Sequence, residues 1–583
     1  MSLMSDLYVG HSGLTTSQNA LNTTGNNLAN IQTKGYTRQQ VVQSDAIYNS
    51  LGLSATTANQ VGSGVTIAAI RQVRDRFMDT AYRQESGRQG FYSASYSAVS
   101  EIETLFGEME GVKVSTVISD LWSSIQELAK TPNDTTSLAL FRDSAEQFVE
   151  RFTDVYNGMK EYQSKLNIKV ENTVNRINEL GNTIFSLNKQ ILTIESGGVE
   201  HANDLRDLRN SALDELSGLV NISYKESAEG YVLVDIEGKD FVTNTCYYSM
   251  DLDYDLITGF ETPVWPQLNN EEVFDMSQPI STRLNTDIGE LKAYILARGS
   301  GTYNYTDMPV KPDSSDTATY PLGETDPQYI ADLAEYEDKM DAYDEISSSA
   351  IGKVMTEFDQ LFHGIVTQIN DILSPNKTVT LDDGTKVKVL DEDNCSYGAN
   401  GEIGVELFSR KAIDRYTKQT LTLEDGTTAE YYVYNEEDPN STNTLYTLGN
   451  VKINDDVLKD ESILPMTTKQ GDADHDRALA LVNAWTSSFA RLNPVDASDV
   501  DYQTYYTQML GDIANLGSVY KASEDALDTT TTYLDNERQK VAGVSSDEEL
   551  TNMIRFQSAY NASSRYFTVV SDMLDYLLAQ LGT

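Results

Sequence analysis

Residues able to do acid–base, metal or nucleophilic chemistry are few and scattered in this chain. Four histidines, His11, His201, His363 and His475, are spread over 583 residues, and none stands in an HExxH or other close pair that would hold zinc. Asp472-Ala473-Asp474-His475-Asp476 begins like a calcium-binding loop. Arg477 then replaces the glycine that the turn requires, and Asn483 stands where a bidentate glutamate belongs. Asp251-Leu252-Asp253-Tyr254-Asp255 fails in the same way, with Leu256 and Thr262 at those positions. Both stretches read as solvated acidic turns. Cys246 and Cys395 are the only cysteines, too few for a disulfide framework or a metal site. No Gly-rich phosphate loop opens a helix after a strand, and no carboxylate pair stands out in so acidic a chain. The expectation is no enzyme, no catalytic residues, no metal and no cofactor.

Composition narrows the partners. With 43 Lys and Arg against 89 Asp and Glu, the formal charge is −46, which repels nucleic acid and anionic lipid alike. There is no run of apolar residues long enough to span a bilayer, and the N-terminus lacks the basic and apolar regions of a cleavable secretory signal. The length implies several domains.

What the sequence does contain is helical periodicity. Met553, Phe556, Tyr560, Ser563, Phe567, Val570, Leu574, Leu577 and Leu581 step alternately by three and four, the seam of a coiled coil. Ser545 or Ser546 can cap this helix, and Asp547, Glu548 and Glu549 oppose its dipole. At the other end, Leu7, Leu14, Leu21 and Leu28 fall seven apart. Leu3, Gly10, Ser17, Thr24 and Ile31 complete a seam that is half small or polar, suited to lying against a more apolar helix such as the C-terminal one.

Between the ends, a turn is expected at 31–36 with positive φ at Gly35, followed by an extended segment, a loop over 44–64 and a short strand at Val65, Ile67 and Ala69. A helical pattern resumes at Asp75 with interruptions near Gly87 and Gly107. The clearest helix runs from about Thr136 to Glu195, its stripe extending from Phe148 to Ile194 with Gly158 and Gly181 off it, between breaks at Pro132-Asn133-Asp134 and Gly197-Gly198. A shorter helix follows over Ala202–Leu219. The period then changes to that of strands, with a hairpin around Tyr231–Ile236 and strand-like pieces to Trp265. Residues 300–327 read as linker and 328–373 as helical. Thr378–Thr385 and Thr420–Thr427 echo one another, each with an Asp-Gly hairpin turn. Helical pattern returns at Ala473, loosened at Pro494, Gly511 and Gly517. The expected fold is mainly α with inserted β modules. It comprises a terminal coiled coil (1–85 with 541–583), a long helical-bundle rod domain (86–225, 326–375 and 471–540), and β-rich outer domains (226–325 with its linker, and 376–470).

The motif Asn26-Asn27-Leu28-Ala29-Asn30-Ile31-Gln32-Thr33-Lys34-Gly35-Tyr36-Thr37-Arg38, preceded by Ser17-Gln18-Asn19-Ala20-Leu21, resembles the N-terminal signature of bacterial flagellar rod, hook and hook-associated proteins. Gly543–Glu549, with Ser545 where the family usually has Asn, followed by Phe556–Ser563 and Asp572-Met573-Leu574, resembles its C-terminal counterpart. Ile177–Ile191, Ala202–Arg209 and Gly471–Leu481 are similar to the hook-associated proteins of the hook–filament junction, whereas 376–450 carries little of the resemblance.

The resemblance implies a structural axial protein forming the first layer of that junction. It would be exported through the type III apparatus without a cleaved signal, and would lie outside the cell. Its terminal helices would pair on assembly into a helical homo-oligomer. The partners implied are further copies of itself, hook protein, the second junction protein and an export chaperone. Leu7, Leu14, Leu21 and Leu28 are expected in the inner seam against Phe567, Val570, Leu574 and Leu577, with Phe556 and Tyr560 also at the assembly interface. Asn26, Asn27 and Asn30 are expected to satisfy backbone groups and neighbouring subunits, and Gly35 and Tyr36 to set and anchor the turn. A hook or distal rod protein would share the termini but lack the helix over 136–195. An adhesin carried on a flagellar scaffold would put its binding surface in 376–470.

Overall fold

The computed structural model describes residues 3–50, 60–107, 113–197, 200–316, 319–496 and 498–581. Residues 51–59 of the expected loop, Gly198 of the expected break and Gly582 lie outside these. The N-terminal helix α1 (Leu3–Ala29) leads, after the turn at Gly35 (φ 81°), into four strands. These are β1 (Gln39–Asp45), β2 (Tyr48–Ser50), β3 (Gln60–Gly62) and β4 (Val65–Gln72), with β1 antiparallel to β4 and β2 to β3. Strand structure therefore extends into 44–50, which the Ser/Asn/Gly content had suggested was loop. Pairing with a distant strand overrides local turn propensity there.

Next come α2 (Arg76–Phe106), α3 (Val114–Lys130), α4 (Thr135–Glu195) and α5 (Asn203–Leu219). Asp75 caps α2 through the Phe77 amide, and Gly107 in the left-handed region (φ 65°) ends it. Gly87 does not interrupt it. Asp134 caps α4 by accepting from the Ser137 amide at 3.2 Å. At 61 residues, about 90 Å long, α4 is the spine of the molecule. Its stripe from Phe148 to Ile191 is buried and runs out at the exposed Ile194. Gly181 is not off that stripe but beneath it, where a Cβ would come within 2.4 Å of the Phe241 ring. Here glycine admits an aromatic ring to the helix backbone.

The first β layer consists of β5 (Ile222–Glu226), β6 (Val232–Ile236) and β7 (Lys239–Val242), then β8 (Asp251–Tyr254), β9 (Glu261–Trp265) and β10 (Glu271–Glu272), in sheets ordered β5-β6-β7 and β10-β9-β8. Helix α6 (Glu290–Arg298) falls in the segment that the sequence assigns to strands and linker. After it come α7 (Pro327–Ser348) and α8 (Ala350–Leu373), divided at Ser349, whose hydroxyl caps α8 at the Gly352 amide.

The two echoing segments form hairpins β11 (Asn376–Thr380)–β12 (Lys386–Leu390) and β14 (Tyr416–Thr422)–β15 (Thr428–Tyr434), turning at Gly384 (φ 83°) and Gly426 (φ 79°). They join through β12 and β15 into one four-stranded sheet. Between them in the chain lies β13 (Phe408–Arg410), which pairs with β16 (Val451–Ile453). The chain ends with α9 (Asp455–Lys459), α10 (His475–Thr486), α11 (Tyr502–Ala542) and α12 (Ser546–Leu581). α11 continues through Gly511 and Gly517, and Pro494 lies in the loop before it.

Two hydrophobic cores lie along α4. Its first half packs with α2, α3, α8, α10 and α11, and with Leu407, Phe408, Tyr446 and Val451 of the later β region. Phe152 stacks on Phe358 at 4.4 Å, Phe148 on Phe362 at 5.6 Å and Trp122 on Trp485 at 5.7 Å. Its second half packs with α5, α6, β6, β7 and Trp265.

Candidate assembly interface

The termini meet as an antiparallel pair. A Cβ on Gly10 would lie 3.3 Å from Phe567, and one on Gly13 would lie 2.5 Å from the Ser563 hydroxyl, while Asn27 reaches Glu549. The buried face of α1 is its small and polar side, Gly10, Thr16, Ser17, Ala20, Thr23, Thr24 and Asn27. Leu7, Leu14, Leu21 and Leu28 flank it, half-buried. From α12, Phe556, Tyr560, Phe567 and Leu574 are half-buried and Val570 is buried, whereas Leu577 is 44 % exposed.

This register brings the expected seam together only in part. Leu21 lies eleven residues beyond Gly10, about 16 Å along the helix, so it stands level with the Phe556 end of α12 rather than with Phe567–Leu577. Glycine and serine on α1 let the backbones approach, so large residues of α12 meet backbone rather than leucine.

A second apolar stripe on α12 stays largely in water beside α1, only its first residue, Tyr566, coming near that helix, 3.2 Å from where a Cβ on Gly10 would lie. Tyr566, Val569, Met573 and Tyr576 step by three, four and three, and all are exposed, Tyr576 by 69 %. Leu550, Ile554 and Leu578 are exposed on the same helix, as are Met4 and Tyr8 on α1. The spacing was readable in the sequence, but the stronger seam beside it drew the assignment.

The Asn-rich motif ties the base of this pair to the rest of the molecule. Asn27 is buried and its amide is fully used. Its Nδ2 donates to the Gln39 carbonyl (2.9 Å) and to Glu549 Oε2 (3.1 Å), and its Oδ1 accepts from the Gln39 amide (3.0 Å) and the Tyr36 hydroxyl (2.8 Å). Burial, then the nearby Asp207 and Glu549 carboxylates, push the Tyr36 phenol up to about 12, so it remains a donor. Glu549 is 2 % exposed and accepts from Arg38 Nε at 2.9 Å, while Arg38 Nη1 reaches Glu548 at 2.9 Å. Main-chain bonds run from Arg38 to Ala542 and from Val73 to Arg38, and the Thr37 amide donates to Asp207.

Asn26 and Asn30 are more local. Asn30 Nδ2 donates to the Asn26 carbonyl and side chain, both at 3.0 Å, and Asn30 Oδ1 accepts from the Thr33 hydroxyl, while Asn26 Nδ2 donates to the Tyr36 hydroxyl at 3.4 Å. Gly35 is exposed at the turn. The sequence reading missed the pairing of the buried Glu549 with the half-buried Arg38. Glu549 has an ordinary local explanation as a helix N-terminal acid, and a contact spanning more than 500 residues leaves no local pattern.

The acidic loops serve as caps and turns. Asp474 caps α10 at the Arg477 amide (3.0 Å) and accepts from Ser396, while Arg477 donates to the Ile372 carbonyl (2.7 Å). Asp255 accepts from the Ile257 amide and the Thr258 hydroxyl. Among the described residues no group of three or more His, Cys, Asp or Glu is placed to hold a metal ion.

Comparison with known proteins covers the same regions. The family model for the flagellar hook-associated protein FlgK helical domain matches residues 99–386. Those for the flagella basal body rod protein and for the C-terminal part of the flagellar basal body rod FlgEFG proteins match 7–37 and 538–581. Flagellar hook-associated protein 1 of Bacillus subtilis is 25 % identical, with 98 % of this chain and 96 % of that protein aligned. Its counterpart in Escherichia coli is 23 % identical, with 97 % and 98 % aligned. The flagellar hook junction protein FlgK from Burkholderia pseudomallei has the same fold over 79 % of this chain and all of its own, at a TM-score of 0.52 and 12 % identity. Matches at both termini, at the helical domain between them and over nearly the full length agree: this chain is similar throughout to flagellar hook-associated protein 1.

Proposed function

We propose that this protein, whose role is structural at the flagellar hook–filament junction, forms the first layer of that junction by packing its terminal helices against those of further copies. The observation that carries the reading is the Tyr566–Val569–Met573–Tyr576 stripe. It is an apolar surface next to a seam already in use, on a helix that needs a neighbour to remove it from water. The α1–α12 pair, lined by glycine and serine, buries too little to hold the ends firmly in a single chain, so assembly completes it.

In this reading 1–85 with 541–583 is the assembly domain. The segments 86–225, 326–375 and 471–540 form the rod that sets spacing, and 226–325 and 376–470 stand outward. Hook protein on one side and the second junction protein on the other are its neighbours along the axis. It reaches this place outside the cell as an exported chain without a cleaved signal, escorted by a chaperone.

The test is polymerisation of the purified chain, followed by light scattering and sedimentation. Val569→Glu with Met573→Glu is expected to abolish polymers while the melting curve of the monomer stays unchanged. Polymers from the doubly substituted chain would exclude the stripe as the interface.

A further inference from the structure

A chain of formal charge −46 gathers seven of its 43 lysines and arginines around one cavity of about 550 Å³ between β4, α2, α5 and β5. Only Asp79 and Glu226 face them from the same lining. Glu226 is shared by three guanidinium groups, Arg76 at 2.6 Å, Arg206 at 2.5 Å and Arg209 at 3.0 Å. Arg206 has further support from Glu195, Arg83 from Asp214 and Arg74 from Asp79. After these pairs, the side chains of Arg71 and Lys225 have no hydrogen bond or ion pair among the described residues, and the Arg76 side chain, 82 % exposed, has only the shared Glu226.

Deeper in, Arg209 is 2 % exposed and its Nε–H has no hydrogen-bond partner, an orphaned donor on a buried cation in the cavity wall. Burial, with the adjacent Arg206, lowers its guanidinium to about 10. A buried donor left unmade is costly, and an under-neutralised cationic cluster is more so.

We infer that this cavity is a docking site for a carboxylate-bearing segment of a second copy of the chain, and that the exposed acidic face of α7 is that segment. The inference rests on the self-assembly reading above. The occupant is argued from charge. α7 carries seven acidic residues against one lysine. Glu337, Asp338, Asp341, Asp344 and Glu345 are exposed and have no cationic partner among the described residues. Asp338, Asp341 and Glu345, spaced three and four, lie on one face of the helix. Within one molecule this face is uncompensated acid, and the cavity is uncompensated base. Joining them between copies cancels both, and steers approach over about 8 Å at physiological salt.

The experiment compares polymerisation rates of three full-length chains at low ionic strength. Arg71→Glu, Arg76→Glu and Lys225→Glu together, all at the cavity mouth, are expected to slow polymerisation about tenfold or more. Adding Asp338→Lys, Asp341→Lys and Glu345→Lys to that chain is expected to restore the rate, which a misfolded variant could not do. An unreversed chain that polymerises beside an equally fast cavity variant overturns the docking site alone. A slow cavity variant that α7 reversal fails to rescue overturns α7 as the occupant. Micromolar binding of inorganic phosphate by the monomer, with polymerisation unaffected by the cavity substitutions, would mark a free-anion site instead. An unsubstituted chain that never polymerises overturns the self-assembly reading and the docking with it.

Discussion

Along α4 the residues at three-and-four spacing, from Phe148 to Ile191, are buried against aromatic and aliphatic side chains of α2, α3, α8 and the first β layer. Along α12 the residues at the same spacing, Met553 to Leu574, are half-buried except for the buried Val570, and Ser563 and Phe567 among them face Gly13 and Gly10. Periodicity is common to both helices. What differs is the chemistry of the opposing face. Each large apolar side chain removed from water contributes about 1.5–3 kcal/mol, so α4 is anchored many times over and α12 only lightly. A heptad therefore specifies which face of a helix is inward and leaves open whether the inward side is complete in one chain.

The largest effect expected from this contrast is on a core aromatic. Phe152→Ala should cost about 3–5 kcal/mol of stability in denaturant unfolding, because Phe152 is fully buried between Phe148 and Phe358. Phe567→Ala should cost the monomer less than about 1 kcal/mol by the same measurement while impairing polymerisation. Comparable losses in the two variants would erase the distinction between the helices.

Asn27→Ala comes next. It removes an amide with four hydrogen bonds and leaves the Gln39 main chain and the buried Glu549 without that partner. An increase in local opening of about 2–3 kcal/mol is expected at the start of α12, read by hydrogen exchange, with α4 unaffected. Unchanged exchange there would mean that the motif does not hold the helix pair.

A pH dependence should appear in the core and not at the termini. Burial, ahead of the opposing pull of Lys353, raises Glu357 from 4.5 to about 8, and neither of its carboxyl oxygens has a hydrogen-bond partner. A carboxyl group raised by folding favours the native state while protonated. Its contribution is complete below pH 4.5 and is lost as pH rises through about 8. Glu357→Gln is therefore expected to stabilise the helical core by on the order of 2 kcal/mol at pH 8 and to change little at pH 4. Thermal melts at the two pH values check this, and equal effects at both would contradict it.

The smallest effect is reserved for Leu577, which lies beyond the reach of α1 and is 44 % exposed. Leu577→Ala should shift monomer stability by no more than about 0.5 kcal/mol. A larger loss would place it in a contact within the single chain.

The legible parts of the fold were those written in local spacing. α4, both terminal helices, the hairpin at β6–β7 and the two Asp-Gly hairpins all follow from residues within a few positions of each other. The motif at Asn26–Arg38 marked the base of the interface as a unit, while the individual contacts of its residues had no local trace. Gly181 looked like a helix-weakening residue because the ring above it, Phe241, is sixty positions away. The basic residues of the cavity come from three separate segments, 71–83, 206–209 and Lys225, and only the first looks basic by itself, so their convergence leaves no local trace. The pairing of Asn27 and Arg38 with Glu549 joins opposite ends of the chain, and only the fold brings them together.

Hydrogen–deuterium exchange on the monodisperse full-length monomer, repeated on its polymer, tests most directly whether the terminal pair is incomplete until copies assemble. Residues 3–29 and 546–581 are expected to exchange far faster than 135–195 in the monomer and to gain protection in the polymer. Protection of both terminal helices in the monomer equal to that of α4, with no gain on polymerisation, would show that the pair is complete within one chain and contradict assembly through it.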